Sequence, residues 1–173
     1  MTQAPLMDRI HITEDYDVPR VINGGWQLSA GHALERPLDL ADASRAFNRL
    51  IDMGFDTFDC ADIYTGVEDF FGGIIRERRK AGLRLPQIHT KFVPDLNDLA
   101  NVTPAYIENI ITRSLRRLGV ERLDAVQFHW WDYSVPGMVD VAGELVRLQE
   151  KGLIRLISTT NFNAVELRKL IDA

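Results

Sequence analysis

Short apolar runs alternate with longer amphipathic segments along most of the chain, from about residue 20 onward. The short runs have the length and the β-branched or aromatic character of buried strands, whereas the longer segments show the apolar spacing of helices. This alternation is typical of βα units that surround a parallel sheet. The predicted strands are residues 20–23, 56–60, 87–92, 125–129 and 154–159. The fold class is therefore predicted to be α/β, with about five parallel strands and intervening helices.

Capping residues and glycines mark the ends of the predicted helices. One helix begins with Thr103 as its N-cap and Pro104 at its first position, and it ends at Gly119, where a glycine tolerates positive φ. Another begins at Asn163, with Glu166 three residues later in the spacing of a capping box. The remaining predicted helices, each followed directly by a glycine, span residues 40–53, 68–81 and 138–151.

Two short segments precede the first predicted strand. Residues 9–12 and 17–20 flank a polar turn at Glu14 and Asp15, which predicts an N-terminal β-hairpin outside the main repeat. No linker, low-complexity stretch or change of composition follows, so residues 1–173 are interpreted as a single domain.

Composition restricts the classes of partner and the compartment. The chain is 46% hydrophobic and 26% charged, which is typical of a soluble globular protein. Its net charge of −5 argues against a nucleic acid or an anionic membrane as partner. The single cysteine, Cys60, cannot form an internal disulfide, and neither a signal-peptide run nor a membrane-spanning run is present. A cytoplasmic location is expected.

Ionisable residues recur at the carboxyl ends of successive predicted strands, where barrel enzymes place their sites. Asp59, Lys91 and His129 lie there, and Tyr64 follows shortly after Asp59. These residues suit proton donation to a carbonyl: Tyr64 as the acid, and Lys91 as an ammonium that lowers its pKa from about 10. Asp59 would keep Lys91 charged, and His129 would hydrogen-bond the substrate oxygen. Singly, each has a structural interpretation as a turn cap, a solvated strand end, a core histidine or a half-buried aromatic, and their joint recurrence favours catalysis.

The segments that contain these four ionisable residues carry a family resemblance. Residues 54–64, GFDTFDCADIY, resemble the signature of the aldo-keto reductases, in which an aspartate precedes the catalytic tyrosine by five positions. Asp59 and Tyr64 occupy those two positions. Residues 89–92, HTKF, and 126–129, VQFH, resemble the strands that carry the family's lysine and histidine.

The resemblance implies a TIM (β/α)8 barrel that reduces aldehydes and ketones with NADPH and without a metal. It assigns the catalytic roles to Asp59, Tyr64, Lys91 and His129. Residues 158–163, STTNFN, resemble the segment that holds the nicotinamide carboxamide. This resemblance implies cofactor contacts for Thr160 and Asn161. Residues 24–26, GGW, resemble the loop after the first strand. The family resemblance as a whole implies further cofactor contacts for Gly25, Trp26 and Asp59. It also implies a substrate pocket that Trp26 and Trp130 line.

The length of the chain qualifies this reading. A complete barrel of this type needs about 250 residues, so the chain is predicted to be the N-terminal portion of one, with strands six to eight absent. NADPH binding is expected to be weak, because the residues that stack on the nicotinamide and grip the 2′-phosphate belong to the absent part. Open sheet edges predict a homo-oligomer or a partner chain.

Two alternative functions stay open. One is a catalytically inactive barrel fragment that acts through self-association or a partner chain. The other is a metal-dependent hydrolase that uses Asp59, Asp62 and His129. Against the second, the sequence has no HxH pair and no closely spaced cluster of histidines and carboxylates.

Overall fold

The structure, a computed structural model, describes residues 7–30 and 39–173. The strands in these residues are β1 (Arg9–Thr13), β2 (Tyr16–Pro19), β3 (Asn23–Gly24), β4 (Thr57–Asp59), β5 (Gln87–Phe92), β6 (Leu123–Phe128) and β7 (Ile154–Thr159). The α-helices are α1 (Leu40–Asp52), α2 (Val67–Lys80), α3 (Pro104–Leu118), α4 (Met138–Glu150) and α5 (Ala164–Asp172). Among these residues, no helix has both the length and the apolar character needed to cross a bilayer.

The strands form a parallel sheet and a separate hairpin. The five-stranded sheet has the order β3-β4-β5-β6-β7, so each strand lies beside the next one in the sequence. Strands β1 and β2 pair antiparallel, with Arg9 opposite Pro19 and a register shift near the turn. The predicted α/β class and the predicted N-terminal hairpin are therefore confirmed.

The first strand of the sheet differs from its prediction. Residues 20–23 were expected to form it, but β3 contains only Asn23 and Gly24, which pair with Phe58 and Asp59 of β4. The amide of Arg20 instead donates to the carbonyl of Asp8 at 3.0 Å, which extends the hairpin by one residue. The two apolar residues between these positions are about half exposed, and they belong to neither the hairpin nor the sheet.

The chain divides into two compact units, the first comprising Met1–Cys60 and Tyr64–Ile88, and the second Ala61–Ile63 and His89–Ala173. In the first unit, α1 and α2 pack on β4 through aromatic rings. The ring of Phe58 stacks on that of Phe71 at 5.2 Å and meets the edge of Phe47 at 5.0 Å. This apolar cluster forms the core beneath the end of β4.

In the second unit, local capping signals fix the helices as predicted. The side chain of Thr103 accepts a hydrogen bond from the amide of Tyr106 at 3.2 Å, and Gly119 ends α3 with φ of 68°. The side chain of Asn163 likewise accepts from the amides of Val165 and Glu166 at the start of α5. These caps confirm the predicted helix starts.

Candidate active site

The end of β4 is held by a close contact with the loop that follows β3. The amide of Gly25 donates to the carbonyl of Asp59 at 2.8 Å. A Cβ on Gly25 would lie 2.9 Å from Cε2 of Phe71, 3.0 Å from Cγ1 of Val67 and 3.1 Å from the oxygen of Asp59. Packing alone therefore requires glycine at this position. A cofactor contact of Gly25 stays a prediction.

Tyr64 lies in the turn between β4 and α2, and its side chain is partly buried. Burial is the main cause that raises its pKa above the usual value of 10.0, and electrostatic interactions with Asp59 and then Cys60 raise it further. The sequence predicted a decrease caused by an ammonium, so the direction is opposite. The phenol is consequently protonated at neutral pH, as a proton donor must be.

A row of polar residues crosses three neighbouring strands of the second unit. Lys91 of β5 lies opposite Gln127 of β6, which in turn lies opposite Ser158 of β7. All three side chains keep some exposure, whereas the flanking Thr90 and Phe92 are buried. Because side chains alternate along a strand, these residues share the less buried face of the sheet. Lys91 therefore lies on the face of the sheet that carries these polar residues.

His129 directly follows β6 and is only 7% exposed. Its amide donates to the carbonyl of Phe92 at 3.1 Å, and its ring atom Nδ1 lies 3.3 Å from the carbonyl oxygen of Thr160. Because a carbonyl oxygen can only accept, this bond needs the proton on Nδ1. The other ring nitrogen, Nε2, is buried and has no hydrogen-bond partner within the described part of the chain. The hydrogen-bonding capacity of Nε2 is therefore unused among these residues.

The three tryptophans have different environments. Trp130 is 2% exposed, its Nε1 donates to the carbonyl of Val135, and its ring packs against Phe128, so it contributes to the core. Trp131 is 47% exposed and meets the His129 ring edge-on at 4.4 Å, with its Nε1 bonded to the carbonyl of Pro94. Trp26 is 45% exposed in a short 3-10 turn. Trp131 is therefore the tryptophan that offers a surface beside His129.

The segment after β7 has an unusual backbone. The amide of Thr160 donates to the carbonyl of Phe128 at 2.9 Å. The next residue, Asn161, has φ of 62°, and its carbonyl accepts a hydrogen bond from the hydroxyl of Tyr133 at 2.9 Å. The side chains of Thr160 and Asn161 are accessible, and a hydroxyl and an amide can each both donate and accept. They are chemically suited to a carboxamide ligand.

From the sequence, Asp62 is a candidate only in the alternative metal-dependent hydrolase. In the structure, this buried carboxylate accepts hydrogen bonds from other residues of the protein. One of its oxygens accepts from the amide of Val93 at 3.2 Å, and the other accepts from Arg113 at 3.2 Å. Arg117 also donates to the carbonyl of Asp62 at 3.1 Å. Within residues 7–30 and 39–173, no three histidine, cysteine or carboxylate side chains converge as a metal site would need. A signal was available, since Arg113 and Arg117 are four residues apart and therefore share one face of α3.

Comparison with known proteins places these features in a family. The profile of the Aldo/keto reductase family matches residues 20–172. A methylglyoxal reductase of Yersinia pestis is 29% identical over 174 residues, which cover 99% of this chain and 54% of that protein. The glycerol dehydrogenase of Gluconobacter oxydans superposes with a TM-score of 0.75 at 27% identity, covering 95% of this chain and 52% of that structure.

A third comparison adds the fold. An aldo-keto reductase of Bacillus halodurans, solved in its holo form, superposes with a TM-score of 0.75 at 21% identity over 96% of this chain and 54% of that structure. These structural relatives are TIM barrels, and the sheet, helices and hairpin of this chain correspond to part of one. The chain spans about half the length of the proteins it matches. Since the family profile matches nearly all of it, the chain belongs to the aldo/keto reductase family.

Proposed function

We propose that this chain carries the proton-transfer residues of a carbonyl reductase, which converts an aldehyde or a ketone into an alcohol with NADPH as reductant. The family supports reduction of carbonyl compounds in general. The observation that carries the proposal is the buried Nε2 of His129, which has no hydrogen-bond partner among the described residues. A buried polar atom of this kind normally has a partner, and the hydroxyl of the alcohol product would supply one to an Nε2 that accepts.

In the proposed reaction, Tyr64 donates its phenolic proton to the carbonyl oxygen while the carbonyl carbon receives a hydride. NADPH, when bound, would supply that hydride and leave as NADP⁺. The carbon–oxygen double bond becomes a single bond, and the phenolate of Tyr64 regains a proton from solvent. The overall change consumes one carbonyl compound, one NADPH and one proton, and it yields one alcohol and one NADP⁺.

The other three catalytic candidates act on Tyr64 or on the substrate. Lys91 would stabilise, with its positive charge, the phenolate that forms when Tyr64 gives up its proton. Asp59 keeps Lys91 charged and oriented. With the proton on Nδ1, Nε2 of His129 accepts a hydrogen bond from the hydroxyl of the alcohol that the reduction yields.

The cofactor and substrate contacts follow the same proposal. The side chains of Thr160 and Asn161 hold the nicotinamide carboxamide, with Gly25, Trp26 and Asp59 as further contacts of the cofactor. Trp26 and Trp130 were expected at the substrate, and the exposed face of Trp131 beside His129 is a further candidate. NADPH binding is expected to be weak. The match to the Yersinia pestis reductase covers only 54% of that protein's length.

The second candidate function is a catalytically inactive barrel fragment that works through self-association or a partner chain. A titration of the purified chain with NADPH, followed by nicotinamide fluorescence, separates the two. Saturable binding supports the reductase, whereas no binding at millimolar NADPH contradicts independent catalysis.

The Tyr64→Phe variant tests the proposed acid. It should lower the turnover of a simple aldehyde by roughly 100-fold to 10,000-fold, the usual contribution of a general acid, and leave the affinity for NADPH unchanged. Tyr106→Phe is the matched control, because Tyr106 has a partly buried phenol on α3 that bonds the backbone of Asp95. Turnover by the Tyr64 variant equal to that of the control would exclude Tyr64 as the acid.

A further inference from the structure

Asn161 is held in a backbone conformation that most side chains avoid. Its φ of 62° is the only positive value among the non-glycine residues that the structure describes. The left-handed region crowds the Cβ against the backbone, although asparagine tolerates it better than most residues. Such conformations persist where neighbouring groups hold them, and they concentrate at ligand sites.

Tyr133, in the loop after β6, is the neighbour that contacts this segment. Its hydroxyl donates to the carbonyl oxygen of Asn161 at 2.9 Å. Its ring packs against Phe162 with centroids 5.6 Å apart, and Phe162 packs in turn against Phe128 at 5.6 Å. One side chain therefore fixes both the carbonyl of Asn161 and the residue that follows it.

The loop around Tyr133 is itself ordered by a tight turn. One oxygen of Asp132 accepts from the amide of Ser134 at 2.8 Å and from its hydroxyl at 2.7 Å. These bonds, the hydroxyl first, lower the pKa of the Asp132 carboxyl, which keeps it ionised and able to accept both. The amide of Val135 also donates to the carbonyl of Asp132 at 3.1 Å. Tyr133 thus extends from a preformed turn.

We propose that Tyr133 is a positioning residue: its hydroxyl holds Asn161 in the left-handed conformation in which that residue meets the nicotinamide carboxamide. The part that concerns the cofactor rests on the proposed function. Tyr133 touches neither substrate nor cofactor in this scheme and acts through the backbone of Asn161.

The Tyr133→Phe variant removes the hydroxyl and keeps the ring. Loss of one hydrogen bond should raise the dissociation constant of NADPH by roughly threefold to tenfold, while kcat at saturating NADPH stays close to that of the wild type. Tyr106→Phe, which also removes a phenol that bonds backbone, should change neither quantity. A loss confined to kcat, or an equal loss in both variants, would overturn the proposal.

A double-variant cycle separates positioning from general support of the fold. If Tyr133 acts through Asn161, then Tyr133→Phe should weaken NADPH binding much less in an Asn161→Ala background than in the wild type. Effects that multiply independently would show that Tyr133 acts by another route and would contradict the proposal.

A measurement without cofactor keeps the two proposals distinguishable. Backbone chemical shifts report φ, so those of Asn161 and Phe162 should move in Tyr133→Phe and stay unchanged in Tyr106→Phe. If the wild type binds no NADPH but these shifts move, the proposed function fails and the conformational role of Tyr133 is supported. If the shifts do not move, Tyr133 does not hold Asn161, whatever NADPH does.

Discussion

Gly24 and Gly25 are adjacent in the sequence but occupy different surroundings. A Cβ on Gly25 would lie closer to Phe71, Val67 and the Asp59 carbonyl than ordinary van der Waals contact allows. No atom lies within 4 Å of the position that a Cβ on Gly24 would take. Gly25→Ala should therefore lower the free energy of unfolding by about 1–3 kcal/mol. Gly24→Ala, the control, should change it by less than about 0.5 kcal/mol. Urea unfolding of both variants gives the comparison, and equal stabilities would refute the packing argument.

The raised pKa of Tyr64 also predicts a pH dependence of stability. Because the folded-state pKa exceeds the ordinary value of 10.0, the unfolded chain releases this proton first as the pH rises. The contribution of Tyr64 to stability is constant below pH 10 and declines above it. The stability of the wild type relative to Tyr64→Phe should therefore decrease from neutral pH to above pH 10 in chemical unfolding. If the difference in stability between the wild type and Tyr64→Phe did not depend on pH, folding would not change the pKa of Tyr64.

At the scale of single residues, the sequence indicates where a side chain lies along an element, but it does not indicate the protonation of that side chain. The spacing of Asp59 and Tyr64 and the strand-end position of His129 were visible in the chain. The proton on Nδ1 of His129 depends on the carbonyl of Thr160, 31 positions away, and the pKa of Tyr64 depends on burial. Neither can be read from local sequence, because both are set by tertiary contacts.

Among the elements, α3 has the clearest local specification. Thr103→Ala removes the side-chain oxygen that caps the amide of Tyr106, and it should lower the free energy of unfolding by about 1 kcal/mol. Thr112→Ala is the matched control, because Thr112 is exposed in the interior of the same helix and alanine has the higher helix propensity. If both variants were destabilised equally, the capping role of Thr103 would be wrong. Thermal unfolding measures both.

Elements whose ends are set by local signals were predicted well. Strands β5 and β7 have the predicted bounds, and α3 and α5 begin at their predicted caps. The failure at residues 20–23 has a nonlocal cause. The length of β3 is decided by where it can pair with β4, and the pairing begins only at Asn23. Apolar character alone does not reveal that Arg20 continues the hairpin and that residues 21 and 22 belong to neither the hairpin nor the sheet.

At the level of the whole chain, the order of the strands makes association an expected property. Among the described residues, β3 and β7 terminate the sheet, and α5 exposes 67% of Val165 and 64% of Ile171. We propose that the chain self-associates when no partner chain is present, since strand edges and apolar surface favour pairing. The average mass in sedimentation velocity should rise with protein concentration.

Ile171→Glu should reduce this association, because it places a charge on the exposed face of α5. Leu83→Glu is the matched control, since Leu83 is a similarly exposed apolar residue, 52% accessible, in the turn after α2. A single monomeric species at all concentrations would contradict the expectation. Equal effects of both variants would show that α5 has no special part in it.

The contact between Gly25 and the end of β4 has a consequence for comparing sequences across the family. Because Phe71 and Val67 fill the space that a Cβ at position 25 would need, these three positions should covary. A relative with alanine or serine at position 25 would be expected to carry a smaller side chain at position 67 or position 71. If distant relatives retain glycine at position 25, the packing of the neighbouring helix is a sufficient reason. The retained glycine would not by itself be evidence that the position binds a nucleotide.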